Sequence, residues 1–487
     1  MLFNSIHFVF FFIIVYILYW VIPTKRISIQ NVLLLISSYY FYACWNWHFL
    51  FLLFFSTFLD YFTGIQISIS QKSRLRKFWF ILSMVMNLGF LAVFKYYNFF
   101  IGSFSDLLSQ IGLPISFKVL SIVLPVGISF YTFHGISYVV DIYRGRIKAE
   151  RNLIDYSLFV SFFPLLVAGP IERATHLLPQ IKKQREFSYS KSVDGLRQIL
   201  WGFFKKIVIA DNCAQFSDMI FNNYEDYNGI ILLLGAILFS IQIYGDFSGY
   251  SDIALGIARL MGFELLNNFK FPYFSRDIAE FWRRWHISLS SWFRDYVYIP
   301  LGGSRGSNWL KIRNTFIIFL LSGLWHGANW TFIAWGFLHA LFFIPMLLLN
   351  QNRNHIEIVA KYTLFPSLKE FFQITITFLL VSFAWVFFRS DSISHALDYL
   401  LHIIKDLPNY VNYIETYNFV YWKIGFLFPF IVFVFFVFEW FGRKDLHALS
   451  QFINRTHFLV RYLIYYVLLI LIYVFIGNEQ QFIYFQF

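Results

Sequence analysis

Apolar runs separated by short polar clusters fill this chain from end to end. Phe8 to Ile22 and Tyr462 to Ile476 approach the roughly 20 residues that cross a hydrocarbon core, and comparable runs recur between them. The pattern predicts helices near residues 5–22, 30–45, 47–65, 78–98, 118–140, 154–170, 197–210, 228–245, 314–349, 370–388, 424–440 and 462–477. Apolar length and spacing alone give about ten to twelve crossings. The predicted class is all-α: a polytopic integral membrane protein with interfacial helices, forming a single membrane-embedded domain over 1–487 with no internal repeat and no dividing linker.

The polar clusters set an orientation. Lys25-Arg26, Lys72 to Lys77 and Arg144 to Arg151 alternate with apolar stretches that divide into pairs of crossings. Placing each basic cluster in the cytoplasm puts the N-terminus outside. The first run has neither a basic n-region nor a small-residue cleavage site, which marks it as a retained span with the mature chain starting at Met1.

Composition narrows the class further. Hydrophobic residues make up 58% of the chain and charged residues 14%, against about 25% charged in a soluble domain. The net charge of +12 would suit nucleic acid, but the Lys and Arg residues sit in short loops where positive charge fixes orientation, so nucleic acid is excluded as a partner. Cys44 and Cys213 stand far apart and neither belongs to a C-x-x-C unit, so neither a disulfide framework nor a cysteine metal site is expected.

Two stretches depart from the pattern of simple spans. Residues 244–313 carry many charges, turn residues and aromatics, as a segment folded against the membrane would. Between Ser275 and Tyr296, helical spacing puts Trp282, Trp285, Leu289, Trp292 and Phe293 on one stripe and Arg283 and Arg294 on another side, which predicts an interfacial helix. The uncharged stretch from Asn314 to Asn350 would be roughly 54 Å long as one helix at about 1.5 Å per residue. It must therefore bend or break, with Gly323, Gly327, Gly336 and Pro345 as places to do so.

Candidate chemistry centres on His326, thirteen residues beyond the nearest preceding charge, Arg313. Helical rise sets it about 20 Å from that charge, inside the hydrocarbon. An ionisable group at such depth is costly and is by default a functional hypothesis, and an imidazole takes and returns a proton near neutral pH. On a continuous helix Ser322 and Asn329 share its face and are placed to fix its tautomer, Trp325 walls the site, and Gly323 and Gly327 admit another backbone or a substrate. The competing reading is a structural histidine bonded across helices.

His286 falls at the border between the tryptophan stripe and the arginine side. It reads either as a packing residue at the interface or as a second proton-handling group. Around it Arg276, Arg283, Arg284, Arg294, Arg305, Lys311 and Arg313 outnumber Asp277, Glu280 and Asp295. That excess suits an anionic donor or lipid headgroups, with Arg283 and Arg284 as candidate contacts, and the positive-inside rule accounts for it equally. Asp246, within Gly245 to Asp252, either lines a polar cavity or caps a helix. Gly169 to Arg173 reads as a bend with an ion pair, and Leu301 to Gly306 lacks the Gly-Lys-Ser/Thr ending of a phosphate loop. His134 and His339 read as packing residues; on a straight helix His339 lies some 220° round from His326.

These motifs resemble the membrane-bound O-acyltransferase superfamily, and within it the bacterial alginate O-acetyltransferase membrane-subunit branch. The resemblance rests on Trp282-Arg283-Arg284-Trp285-His286 through Tyr296, on Trp325-His326-Gly327, on Leu124 to Phe133, on Phe162-Phe163-Pro164 through Arg173, on Tyr244 to Asp252 and on Trp385 to Arg389. It implies helices around a tunnel through the membrane, an acyl donor in the cytoplasm and an acceptor outside. His326 matches the family's catalytic histidine and His286 its second motif histidine. His134 stands where glutamine is expected in close alginate relatives, which leaves the acceptor open.

The resemblance further implies no bound cofactor, with acetyl-CoA or another acyl thioester as donor substrate. The implied partners are the lipid bilayer, the cytoplasmic donor, an exported polysaccharide acceptor and an SGNH-hydrolase-like acetyltransferase on the outer face; the implied location is the bacterial inner membrane. Peptidoglycan or cellulose O-acetylation and teichoic acid D-alanylation belong to the same chemistry. A transporter or flippase fits the bare composition, but the repeated halves or paired broken helices of such proteins are not evident. A membrane scaffold would leave the buried histidine without a task.

Overall fold

The computed structural model describes residues 1–487 apart from 2, 114, 116, 118, 121, 122, 168, 451–455, 478–481 and 484–487. Among the described residues every regular element is helical. Six helices are long and apolar enough to cross a membrane, and a seventh crossing is counted if Tyr410–Ile424 and Leu427–Gly442, bent by 92°, form one broken span. Ile6–Val21 and Phe458–Val474 are shorter apolar helices. The chain packs as two compact units, residues 1–195 with 257–266, and residues 196–256 with 267–487.

The first unit contains α1 (Ile6–Val21), α2 (Ile27–Asn46), α3 (His48–Ile69), α4 (Ser73–Leu91), α5 (Tyr97–Gln110), α6 (Ile128–Tyr143), α7 (Leu153–Ser161), α8 (Phe163–Leu166) and α9 (Ala174–Lys182). The predicted helix over 118–140 begins at Ile128, and its predicted start at Lys118 lies outside the described residues. α6 is buried on every side, its polar side chains Ser129, Thr132, His134, Ser137 and Asp141 included. Its one glycine, Gly135, lets Asp60 of α3 approach: a Cβ there would stand 1.9 Å from the carboxylate Oδ2. The Oδ1 atom accepts hydrogen bonds from Ser83 and Asn87 of α4, both at 2.7 Å. The predicted span over 154–170 is two short helices parted at Phe162, and Ala168 in its last turn lies outside the described residues. Arg185, beyond α9, donates to Tyr19, Gln30 and Asn31 and so fastens α1 and α2.

The second unit is built on α12 (Gly229–Leu260), whose apolar window is 78% buried. Against it runs α10 (Tyr189–Phe203), a π-helical stretch Phe204–Ala210 and α11 (Asp211–Asn222). The two strips meet through glycines, since a Cβ on Gly202 would come within 2.7 Å of the Gly249 carbonyl. The sequence predicts that the helix ends near 245, yet α12 continues to Leu260. Its carboxylates are neutralised within the fold: Lys205 pairs with Asp252 at 2.6 Å and Lys206 with Asp246 at 2.9 Å and Asp211 at 2.7 Å. Buried charges persist when they are paired in this way.

Beyond α12 come α13 (Ile278–Arg284), α14 (Ile287–Phe293), α15 (Asn308–His326), α16 (Trp330–Leu348), α17 (Leu368–Arg389), α18 (Ile393–Asp406), α19 (Tyr410–Phe419), α20 (Leu427–Gly442) and α21 (Phe458–Val474). The uncharged stretch from 314 to 350 breaks at Gly327–Asn329 into the antiparallel pair α15 and α16. Their backbones touch at glycine: a Cβ on Gly323 would stand 2.2 Å from the Phe332 carbonyl, and one on Gly336 2.3 Å from that of Phe319. Small residues at a helix crossing in lipid permit this approach.

Candidate active site

The interfacial helix predicted between Ser275 and Tyr296 is broken at its centre. α13 ends at Arg284, and His286 adopts a left-handed backbone with φ 42° and ψ 53° before α14 begins. Such a conformation costs a residue bearing a Cβ about 1–3 kcal/mol and is kept only where surroundings enforce it. The break turns the imidazole of His286 inward, where it is 0% exposed, in place of the border position that a continuous helix would give it.

His326 reaches the same place from another direction. It is the last residue of α15, 3% exposed, with its ring against Trp325 at 5.0 Å, Trp335 at 5.1 Å and Phe388 at 5.3 Å. The ring centroids of His286 and His326 are 6.3 Å apart, and Trp325 lies 5.5 Å from His286, so its indole touches both. Phe247 of α12 closes the far side of His286 edge-on at 4.6 Å. Among the described residues neither nitrogen of His286 has a hydrogen-bond partner. A buried imidazole left so is available to a ligand's polar atoms.

A cavity of about 400 Å³ opens in the same unit. Trp282, Phe319, Phe343 and Leu347 form its apolar wall, Ser322 lies on it one helical turn before His326, and the exposed arginines Arg283, Arg294 and Arg353 stand along its rim. An apolar interior with a cationic edge suits an elongated ligand carrying an anionic group at one end. Arg283 donates to the backbone oxygens of Asn352 at 2.6 Å and His355 at 2.8 Å, which holds the 351–355 segment beside the rim.

The other predicted residues separate. Arg284 is buried in an ion pair with Glu280 at 2.7 Å and donates to the Lys270 carbonyl, so it holds structure and does not line the cavity. Asp246 faces Lys206 and accepts from the Ile483 amide at 2.7 Å, away from the cavity. Asn329 caps α16 by accepting from the Thr331 amide at 3.0 Å and donates to the Asp391 carbonyl at 3.1 Å; it does not set the tautomer of His326. That expectation assumed a helix running through Gly327. His339 is a packing residue, as predicted: it lies on Trp335 one turn earlier in α16 at 4.8 Å and accepts from the Trp282 indole N–H at 3.3 Å. Arg353, Phe247 and Phe388 were not foreseen. Arg353 lies beyond the arginine-rich segment, and only the α15–α16 return carries it to the rim. Among the described residues no group of three or more His, Cys, Asp or Glu side chains is placed to hold a metal ion.

Comparison with known proteins bears on this arrangement. The MBOAT, membrane-bound O-acyltransferase family matches residues 146–387, which include both histidines. The probable alginate O-acetylase AlgI of Pseudomonas aeruginosa is 42% identical over 397 residues, covering 81% of this chain and 73% of the relative. The peptidoglycan O-acetyltransferase of Helicobacter pylori is 34% identical over 452 residues, 85% of this chain and 83% of the relative. The teichoic acid D-alanyltransferase of Bacillus subtilis is 29% identical over 285 residues, 55% of this chain and 70% of the relative. With two relatives above 30% identity across most of both chains, and the paired histidines inside the matched region, the chain is a multi-pass acyltransferase that belongs to the membrane-bound O-acyltransferase family.

Proposed function

We propose that the protein transfers acetyl groups from a cytoplasmic thioester, acetyl-CoA or an equivalent carrier, to hydroxyls of an exported polysaccharide of the alginate type. The observation that carries this reading is the pair of buried imidazoles 6.3 Å apart, in the unit whose apolar cavity has Ser322 one turn from His326 and three arginines on its rim. The arginines would meet the donor's phosphate and the apolar wall its pantetheine arm. No resident cofactor is needed, because the thioester is a substrate.

His326 serves as general base. It accepts the proton of the attacking hydroxyl while that oxygen bonds to the thioester carbonyl carbon, and it returns the proton to the sulfur as the C–S bond breaks. His286 donates a hydrogen bond to the oxyanion that forms between those events. Both groups work in a water-poor site, which favours transfer over hydrolysis. The chain resides in the bacterial inner membrane with the arginine rim toward the cytoplasm, and an SGNH-hydrolase-like protein on the outer face completes delivery to the polymer.

The test is acetyl transfer in vesicles holding the chain together with that outer-face SGNH-hydrolase-like protein, with labelled acetyl-CoA and separate alginate and peptidoglycan acceptors. Label should appear on alginate in the wild type and vanish with His326→Ala. Label only on peptidoglycan fragments would move the acceptor to that polymer. Transfer by His326→Ala at the wild-type rate would remove the mechanism.

A further inference from the structure

His286 owes its position to a backbone that few residues adopt, and the contacts that hold it converge on one side chain. The segment before α13 runs beside the break: the Lys270 amide donates to the Arg284 carbonyl at 3.0 Å, and the Ile287 amide donates to the Asn268 carbonyl at 2.8 Å. These two bonds bracket His286 from either side. Phe271, in the same segment, is itself left-handed with φ 49°, so both strands of this pairing bend sharply at one place.

Asn268 adds a second hold through its amide. Its Oδ1 accepts from the Ser288 hydroxyl at 2.5 Å, and its Nδ2 donates to the Ser251 hydroxyl of α12 at 3.0 Å. All three side chains are buried, with exposures of 1% for Asn268 and Ser288 and 3% for Ser251. Asn268 therefore grips the first residue after His286 by main chain and the second by side chain, and ties both to α12. Ser251 lies one turn after Phe247 on that helix, on the same face, and Phe247 is the ring set edge-on against His286. One residue thus fixes the kink and the distance from the kink to the aromatic wall.

We propose that Asn268 is a positioning residue for His286, fixing the left-handed turn that aims the imidazole at the reacting centre beside His326. The inference rests on the catalytic reading of His286. A misplacement of about 1 Å at a reacting group costs on the order of a hundredfold in rate, so loosening this turn falls on kcat. Donor binding at the arginine rim does not depend on it.

The experiment measures kcat, donor KM and thermal midpoint for the full chain in vesicles with labelled acetyl-CoA. Asn268→Ala is expected to lose roughly tenfold to a hundredfold in kcat, with KM and midpoint near wild type. Asn268→Asp, which keeps an oxygen for Ser288, should recover most of that loss. In a His286→Ala background Asn268→Ala should cost nothing further, because what it positions is gone. An equal loss in both backgrounds, or full kcat in Asn268→Ala, would overturn the inference while leaving His286 in its role. Full activity of His286→Ala alone would instead remove the reading on which it rests, and the inference with it. Should Asn268→Ala fail to insert, Ser288→Ala removes a single hydroxyl of the clamp, and an unchanged kcat there would also overturn it.

Discussion

Truncating His326 removes an imidazole enclosed by Trp325, Trp335 and Phe388, so packing and chemistry are separable only by magnitude. General-base work contributes about 10²–10⁴-fold. His326→Ala is therefore expected to lower kcat by at least a hundredfold while membrane abundance stays near wild type, measured as labelled acetyl transfer normalised to protein. The arginines divide in the same way. Arg284→Gln removes one of the two arginines on buried Glu280 and leaves Arg276 at 3.0 Å, so it should destabilise the protein by about 1–3 kcal/mol, seen as a lower thermal midpoint in detergent. Arg283→Gln removes a rim charge and frees the 351–355 segment from its hold at the Asn352 and His355 carbonyls, and should raise donor KM roughly two- to fivefold with kcat unchanged. The burial of His326 was legible in the sequence from its distance to the nearest charge. Arg284 was read as a donor contact, although its i, i+4 spacing from Glu280 is that of the helical ion pair it forms. The partner of Asp246 was not legible, since Lys206 is forty residues upstream and meets it only through packing.

At the scale of elements, length was a better guide than angular position. A stretch too long for one perpendicular helix had to break, and it does. The face expected to be shared by Asn329 and His326 was wrong because it assumed one axis through Gly327. Gly323 and Gly336 then acquire a second meaning as the points where α15 and α16 touch backbone to backbone. Gly323→Ala must displace the Phe332 carbonyl, 2.2 Å from the new Cβ, and overpacking of this kind costs about 1–3 kcal/mol. The expected result is a lower thermal midpoint and, because α15 ends at His326, a lower kcat with little change in donor KM. A variant with wild-type midpoint and rate would show that the helix pair tolerates separation. The left-handed break at His286 was the least legible element: the tryptophan stripe continues through it at helical spacing, and the residues that enforce the turn come from 268–270 and α12.

For the whole molecule the decisive quantity is sidedness. The positive-inside rule predicts that the loops at Lys72 to Lys77 and Arg144 to Arg151 are cytoplasmic, and the proposed cytoplasmic thioester requires the Arg283, Arg294 and Arg353 rim to face the same way. Both demands hold together only if an even number of crossings separates residue 74 from residue 353. Cysteine labelling tests this directly once Cys44, which is exposed, is replaced; Cys213 is buried. Arg74→Cys and Arg353→Cys, each in that background, should react with a membrane-impermeant reagent only when the cytoplasmic face is open to it, and a cysteine at Asn4 should react from outside. Position 74 labelled only from outside would invert the orientation. Position 353 labelled only from the face opposite to 74 would leave the fold untouched but place the arginine rim on the acceptor's side, where its charge would have to serve an anionic polymer and not the thioester donor.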